Sequence, residues 1–426
     1  MSGAFGPILR RAAAGAPVTP DEAKGLIRIP EEGLPDLLGA AAAARDRGKG
    51  RTVTYSRKVF VPLTNYCRDY CRYCTYRKDS GDPDGWFLEP AEVLRVVRAG
   101  ARLGCKEALF SLGDKPEAAF PEVRDILRRL GYRTTLEYLA AVCDAVARET
   151  PLFPHANPGL MGRADLRRLK ASNVSMGLML ESASDRLLQP GGAHDDAPDK
   201  VPALRLKTME AAGQLRVAFT TGILIGIGET PDERVDALAA IGALHRRYGH
   251  IQEVIVQNFR AKPDIPMRDE AEPTAADMAR TIAVARLMLG PAMNLQAPPN
   301  LTPQEYRIYL HAGINDWGGV SPLTMDYINP EAPWPKLAEL HAVTEGEGFA
   351  LRERLALYPE FIGQEGFLAP ALAEKVRAAV NAEGYPRTDP PEVAAPADVG
   401  EAGPRIWNAA ALQPLLPLSL DGRGCG

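Results

Sequence analysis

Two rhythms of apolar and polar positions run along this chain. Short runs rich in β-branched and aromatic residues fall at 53–61, 107–112, 152–155, 174–181, 217–226, 253–259, 294–297 and 316–320 and read as strands. Between them lie longer stretches whose apolar residues recur every three or four positions, as on one face of a helix. The clearest follows the fifth strand. Thr230 and Glu233 form a capping box, Pro231 takes the first helical position, Val235, Leu238, Ile241, Leu244 and Tyr248 mark one face, and Gly249 closes the run. Eight strand–helix units, with strands too apolar for a sheet wet on one side, predict an α/β fold: a closed (β/α) TIM-type barrel over 52–346. An open doubly wound sheet is the competing architecture.

Around the barrel the pattern predicts a helical N-terminal extension at 1–51, with Thr19 or Asp21 as an N-cap and a second helix over 35–45. A C-terminal helical extension is expected at 347–386. Residues 387–426, rich in Pro, Ala and acidic groups up to Pro404 and carrying Trp407 beyond it, are expected to form a flexible linker and tail.

Composition changes this picture little. The 426 residues are 46% hydrophobic and 24% charged, and 50 Lys and Arg face 54 Asp and Glu. That balance gives no reason to expect a nucleic-acid or anionic-membrane partner. Arg10 and Arg11 interrupt what would be the apolar core of a signal peptide, and no uncharged apolar run nears the roughly 18 residues of a spanning helix, so a cytoplasmic location is expected.

The cysteines carry more information. Of six, Cys67, Cys71 and Cys74 crowd into one C-x3-C-x2-C segment, whereas Cys105, Cys143 and Cys425 are scattered. In a large chain of this kind such a cluster reads as metal or redox chemistry. Structural zinc needs four protein ligands, and the nearest histidine, His155, is remote in sequence. Three thiolates with one corner open suit a [4Fe–4S] cluster better.

That segment, with Tyr73 just before the third cysteine, resembles the radical S-adenosylmethionine (SAM) superfamily. The resemblance implies one [4Fe–4S] cluster held by Cys67, Cys71 and Cys74, with SAM chelating the fourth iron and yielding a 5′-deoxyadenosyl radical on reduction. It also implies contacts to SAM. Tyr73 follows from the cysteine motif, and Ser111, Gly113, Asp114 and Glu117 resemble the Gly-rich element that receives the methionine amino group. Glu181, a carboxylate ending an apolar strand, and Arg205 resemble the groups that meet the SAM ribose or amino group and the SAM carboxylate. Gly222, Leu224 and Gly226 fit the superfamily's G-x-I-x-G-x-x-E pattern, where adenine lies against a strand, and Gln257 stands at the same rim.

Several segments match more closely: 67–79, SLGDKPE at Ser111, HANPG at His155, SMGLMLES at Ser175, TTGILIGIGET at Thr220, 246–263 and APWP at Ala332. Together they resemble the ring-closing radical SAM subunits of the 7,8-didemethyl-8-hydroxy-5-deazariboflavin (FO) synthase family, from about Tyr55 to Lys336. The resemblance implies a lyase of deazaflavin, coenzyme F420, biosynthesis. Its substrate would be 5-amino-5-(4-hydroxybenzyl)-6-(D-ribitylimino)-5,6-dihydrouracil, made by a companion radical SAM synthase, and the reaction needs a reducing electron donor. Ring closure would release ammonium, 5′-deoxyadenosine and methionine. A menaquinone-type cyclase of the same subgroup, or a non-enzymatic iron–sulfur or zinc protein, are the rival readings.

Candidate substrate contacts are Asn157, Gln257, Asn258, Asn300, Asp316 and Ser321, with Phe259, Tyr306 or Trp317 for stacking. His155, Glu181 or Asp316 are candidates for a base. His194 is expected to be a solvated loop residue, and His245 and His250 surface or capping groups.

Overall fold

The computed structural model describes residues 5–387. The tail beyond that point, with Trp407 and Cys425, lies outside the described residues. Nine strands follow in chain order: β1 (Thr52–Pro62), β2 (Glu107–Ser111), β3 (Phe153–Asn157), β4 (Ser175–Gly177), β5 (Phe219–Ile225), β6 (Ile251–Asn258), β7 (Leu295–Gln296), β8 (Asp316–Val320) and β9 (Ala350–Arg354). The first eight pair in parallel from β1 round to β8, and β8 returns to β1, so the sheet closes into the expected barrel.

Each of the eight expected strands is present, and the differences are at their ends. The fourth pairs only over Ser175–Gly177. Beyond it the chain leaves the ladder and touches β5 again through the bridge Glu181–Ile223, with Glu181 in the left-handed region at φ 63°. The helix Pro231–Tyr248 has its capping box at Thr230 and Glu233 and ends at Gly249, φ 63°. In the N-terminal extension Thr19 caps Pro20–Leu26, and a helix spans Leu34–Lys49.

The stretch expected to be a helical extension at 347–386 also holds a strand. β1 has 11 residues, enough for two partners on one edge: Lys58–Pro62 pairs with β2 and Thr52–Ser56 with β9. The chain after β9 turns under the barrel. Leu355, Leu357, Tyr358, Phe361 and Val376 form a separate core there with Phe153, Val174 and Ala218. Ala356 O accepts hydrogen bonds from Ser175 Oγ (2.6 Å) and Gln252 Nε2 (3.1 Å). Among the described residues the N-terminal mouth is thereby plugged, and the cavity reaches the rim where the strands end. Among the described residues no helix is long and apolar enough to cross a membrane.

Candidate active site

The cysteine loop leaves the end of β1 and is pinned by its backbone. Arg68 N donates to Asp114 O (3.2 Å), Tyr70 N to Asp196 O (2.7 Å), Arg72 N to Ala193 O (3.0 Å) and Cys74 N to Cys71 O (3.0 Å). This holds Cys67, Cys71 and Cys74 on one cavity wall. Cys67 Sγ accepts from the backbone N–H groups of Asp69 (3.4 Å) and Asp114 (3.2 Å), the kind of bond that tunes a cluster thiolate. Burial raises the Cys67 thiol and pushes Cys71 up to about 12, so thiolates there call for a cationic partner such as iron. Cys105 and Cys143 are buried and do not line the cavity. Three soft donors, with no fourth cysteine lining the cavity among the described residues, fit a [4Fe–4S] cluster with an open corner.

The loop after β2 closes on the cysteine loop. A Cβ on Gly113 would stand 2.0 Å from Tyr66 O and 2.6 Å from Cys67 Cβ, so only glycine lets the two loops touch. Asp114 lines the cavity, and oxygens of Asp69, Asp114 and Asp199 lie within 4.8 Å of one another. Burial pushes the Asp114 carboxyl up to about 6. Arg68 and Lys115 counter Asp199, and Lys115 also stands 3.2 Å from Asp114, so three carboxylates share two cations beside Cys67, a balance that can take in an ammonium. Ser111 lines the same wall. Glu117 does not: its carboxylate accepts from Thr135 N (3.1 Å) and Thr135 Oγ1 (2.6 Å), tying down the helix Thr135–Glu149. The short helix Pro116–Ala119 turns it away from the cavity.

Across the rim, Glu181 pairs with Lys200 Nζ at 2.6 Å, and both line the cavity. Its left-handed backbone is the sort of strain that persists where surrounding structure holds a functional group in place. Arg205 is buried, not solvated. Its Nε donates to Met179 O (2.7 Å) and its Nη1 to Asp199 O (3.0 Å) while the side chain lines the cavity. Tyr73 packs on an apolar patch that includes Leu224, Phe259 and Ile265. Its hydroxyl lies 3.1 Å from Nε2 of His194, which is buried at 3% exposure, contrary to the solvated loop expected. His250 is also buried, bonded to Met209 O (2.9 Å).

Leu224, Gln257, Asn258 and Phe259 line the cavity; Gly222 and Gly226 do not. A Cβ at Gly222 would meet Ile255 O at 2.1 Å. Gly226 sits at φ 89° against Pro273, and its N–H donates to Glu229. In this chain both glycines let the backbone pack closely.

Beneath the rim lies a cavity of ≈ 330 Å³ that runs down the lumen. One wall is apolar, from Met179, Leu224 and Ile255; the other carries Lys58, Glu107, His155 and Gln296, with Asn157 above. At the bottom, Arg354 of β9 donates to Glu253 (2.9 Å) and to both oxygens of Asp316 (2.6 and 2.9 Å). Tyr358 OH and Thr220 Oγ1 also donate to Glu253. Asp316, a candidate base, is therefore fully occupied; it also receives Thr54 Oγ1 and Gly318 N and does not line the cavity.

The Asn300 amide nitrogen is likewise used by Asp326 (3.0 Å) and Ala332 O (3.1 Å), though its buried Oδ1 has no partner among the described residues, and Ser321 bonds Thr324. Trp317 faces outward, donating to Thr344 Oγ1 (3.0 Å), with Tyr306 edge-on against it. None of these four lines the cavity. His155 does. Its Nδ1 lies 2.7 Å from Ser175 Oγ, whose single proton goes to Ala356 O, so Nδ1 carries the proton and Nε2 is an acceptor. Burial lowers its pKa to about 4, keeping it neutral at pH 7.

Lys58, Glu107, Gln296, Lys200 and Arg354 escaped sequence reasoning. The signal was present for Lys58: Thr54, Ser56 and Lys58 alternate on the inward face of β1.

Residues 61–241 match the model of the radical SAM superfamily. A 7,8-didemethyl-8-hydroxy-5-deazariboflavin synthase of Methanopyrus kandleri is 50% identical over 335 residues, which are 79% of this chain and 100% of that protein. The chain belongs to this synthase family, within the radical SAM superfamily. The FO synthase of Streptomyces avermitilis is 47% identical over 406 residues, or 90% of this chain, but the chain spans only 47% of that longer protein. Among solved structures, the FeFe-hydrogenase maturase HydG from Carboxydothermus hydrogenoformans has a TM-score of 0.67 at 19% identity, covering 88% of this chain and 89% of its own; it shares the fold alone. Membership in the radical SAM superfamily makes this chain an enzyme that works with SAM and a [4Fe–4S] cluster.

Proposed function

We propose that this enzyme carries out the ring-closing half of FO synthesis in coenzyme F420 formation. It would convert 5-amino-5-(4-hydroxybenzyl)-6-(D-ribitylimino)-5,6-dihydrouracil to FO with loss of ammonium. The observation that carries the reading is the 50% identity over the full length of a synthase of that name, in a chain with one cysteine triplet and hence one cluster. A reduced cluster with SAM supplies a 5′-deoxyadenosyl radical, a hydrogen-atom abstractor.

The chain's own residues do the rest. Cys67, Cys71 and Cys74 hold the cluster, Asp114 and its acidic neighbours receive the SAM ammonium, and Arg205 and Glu181 orient the remainder of SAM. Tyr73, set by His194, and Leu224 give adenine an apolar seat. The plugged floor keeps solvent out from below. A companion synthase supplies the adduct, and a low-potential donor reduces the cluster.

The test is anaerobic incubation of the reconstituted enzyme with SAM, reductant and the adduct. Fluorescent FO and 5′-deoxyadenosine are expected together. Deoxyadenosine without FO would redirect the assignment to another cyclisation, such as a menaquinone-type reaction. A protein carrying zinc and no iron would end the reading.

A further inference from the structure

Hydrogen bonding in the lumen is divided unevenly. Glu253, Asp316 and Arg354 satisfy one another at the floor. Just above, four cavity-lining groups keep capacity that no described residue uses. The Lys58 ammonium lies 4.5 Å over the Phe60 ring with no hydrogen-bond acceptor, in room left by Gly319, where a Cβ would stand 2.0 Å from Nζ. Glu107 accepts a hydrogen bond only from Ser56 Oγ, on one oxygen. His155 offers the Nε2 lone pair, and the Gln296 amide has no partner. These groups face the cavity, where water or ligand hydroxyls can reach them, so a lumen lined this way suits a polar ligand that replaces that water bond for bond.

These groups sit on β7, β1, β2 and β3, which with glycine-bearing β8 make one continuous wall. They are staggered along the barrel axis: Lys58 pairs with Glu107, whereas His155 pairs with Leu109, two residues higher, or about 6.6 Å at the rise of a strand. A planar pyrimidinedione presents its donors and acceptors in a single plane. A chain of hydroxyls presents both kinds along a line and bends to follow the wall. The carboxylate of Glu107 disfavours an anionic tail such as a phosphate.

We propose that Lys58, Glu107, His155 and Gln296 form a polyol subsite that takes the ribityl arm of the substrate downward and leaves the reacting rings beside the thiolate rim. This rests on the function proposed above, since that substrate ends in a ribityl chain. It also places a part of the molecule whose bonds do not change farthest from the cysteines.

The test is binding to the anaerobic holoenzyme without reductant, so that nothing turns over. The ligands are the hydroxybenzyl adduct and its analogue with N-ethyl in place of ribityl. Wild type should bind the ribityl compound about tenfold or more tightly than the ethyl one, and Glu107→Gln and Lys58→Met should each erase most of that difference. Equal affinities in wild type, no binding of either ligand, or variants that lose the same factor for both ligands would overturn the subsite. The wild-type comparison stands even if a variant does not fold. The two readings separate cleanly. Ribityl-dependent binding without FO formation under reducing conditions removes the ring-closure function and keeps the subsite, and FO formation with equal affinities does the reverse.

Discussion

The rim and the floor of this barrel are built by different means. At the rim, short contiguous segments do the work: backbone bonds lock the cysteine loop against the loop after β2, and glycine at position 113 allows the contact. At the floor, single side chains from strands far apart in sequence meet, and Arg354 from β9 neutralises carboxylates on β6 and β8. A rim assembled this way can lose its chemistry while keeping its fold. The floor mixes the two, because its charges are buried.

Four substitutions probe that contrast. The largest effect on turnover is expected from Cys71→Ala: iron content should fall and deoxyadenosine formation drop by about 100-fold or more, the upper end of what outer partners of a metal site are worth. The thermal midpoint of the metal-free protein should shift little, and a collapse of the apo fold would contradict the division. Arg354→Met should do the opposite. It strands Glu253 and Asp316, and breaking a buried pair costs about 3–5 kcal/mol, measurable as a lowered denaturation midpoint.

Glu181→Gln sharpens the picture at the rim. It removes a charged acceptor, and KM for SAM should rise about tenfold, the worth of one hydrogen bond to a charged group. The smallest effect belongs to Glu117→Gln. Because this carboxylate tethers the helix Thr135–Glu149, the variant should lose about 1 kcal/mol of stability with KM for SAM unaltered. A clear rise in that KM would return Glu117 to the SAM site.

The same contrast governs what the sequence revealed. Cys67, Cys71 and Cys74 announce a cluster because their ligation depends on local spacing, and the strand–helix rhythm announces a barrel because burial on both faces leaves a periodic mark. Glu117 was misplaced because spacing does not tell which way a turn of helix faces. Asn300 sits just beyond the end of β7, where a site is expected, whereas Asp316 opens β8 at the floor; the hydrogen bonds of both go to neighbours unseen in the sequence. Lys58 and Glu107 each look like an ordinary polar residue in an apolar strand, and only closure of the sheet puts them in one lumen. β9 escaped because Ala350–Arg354 is mostly polar and its partner, the lower half of β1, is distant in the chain.

That last strand imposes an order on synthesis. A ribosome delivers the eight staves of the barrel before it releases the residue that balances the acids at their base. Until Arg354 emerges, the nascent barrel holds unbalanced carboxylates on β6 and β8 and an open lower mouth, so its final cooperative closure waits for β9.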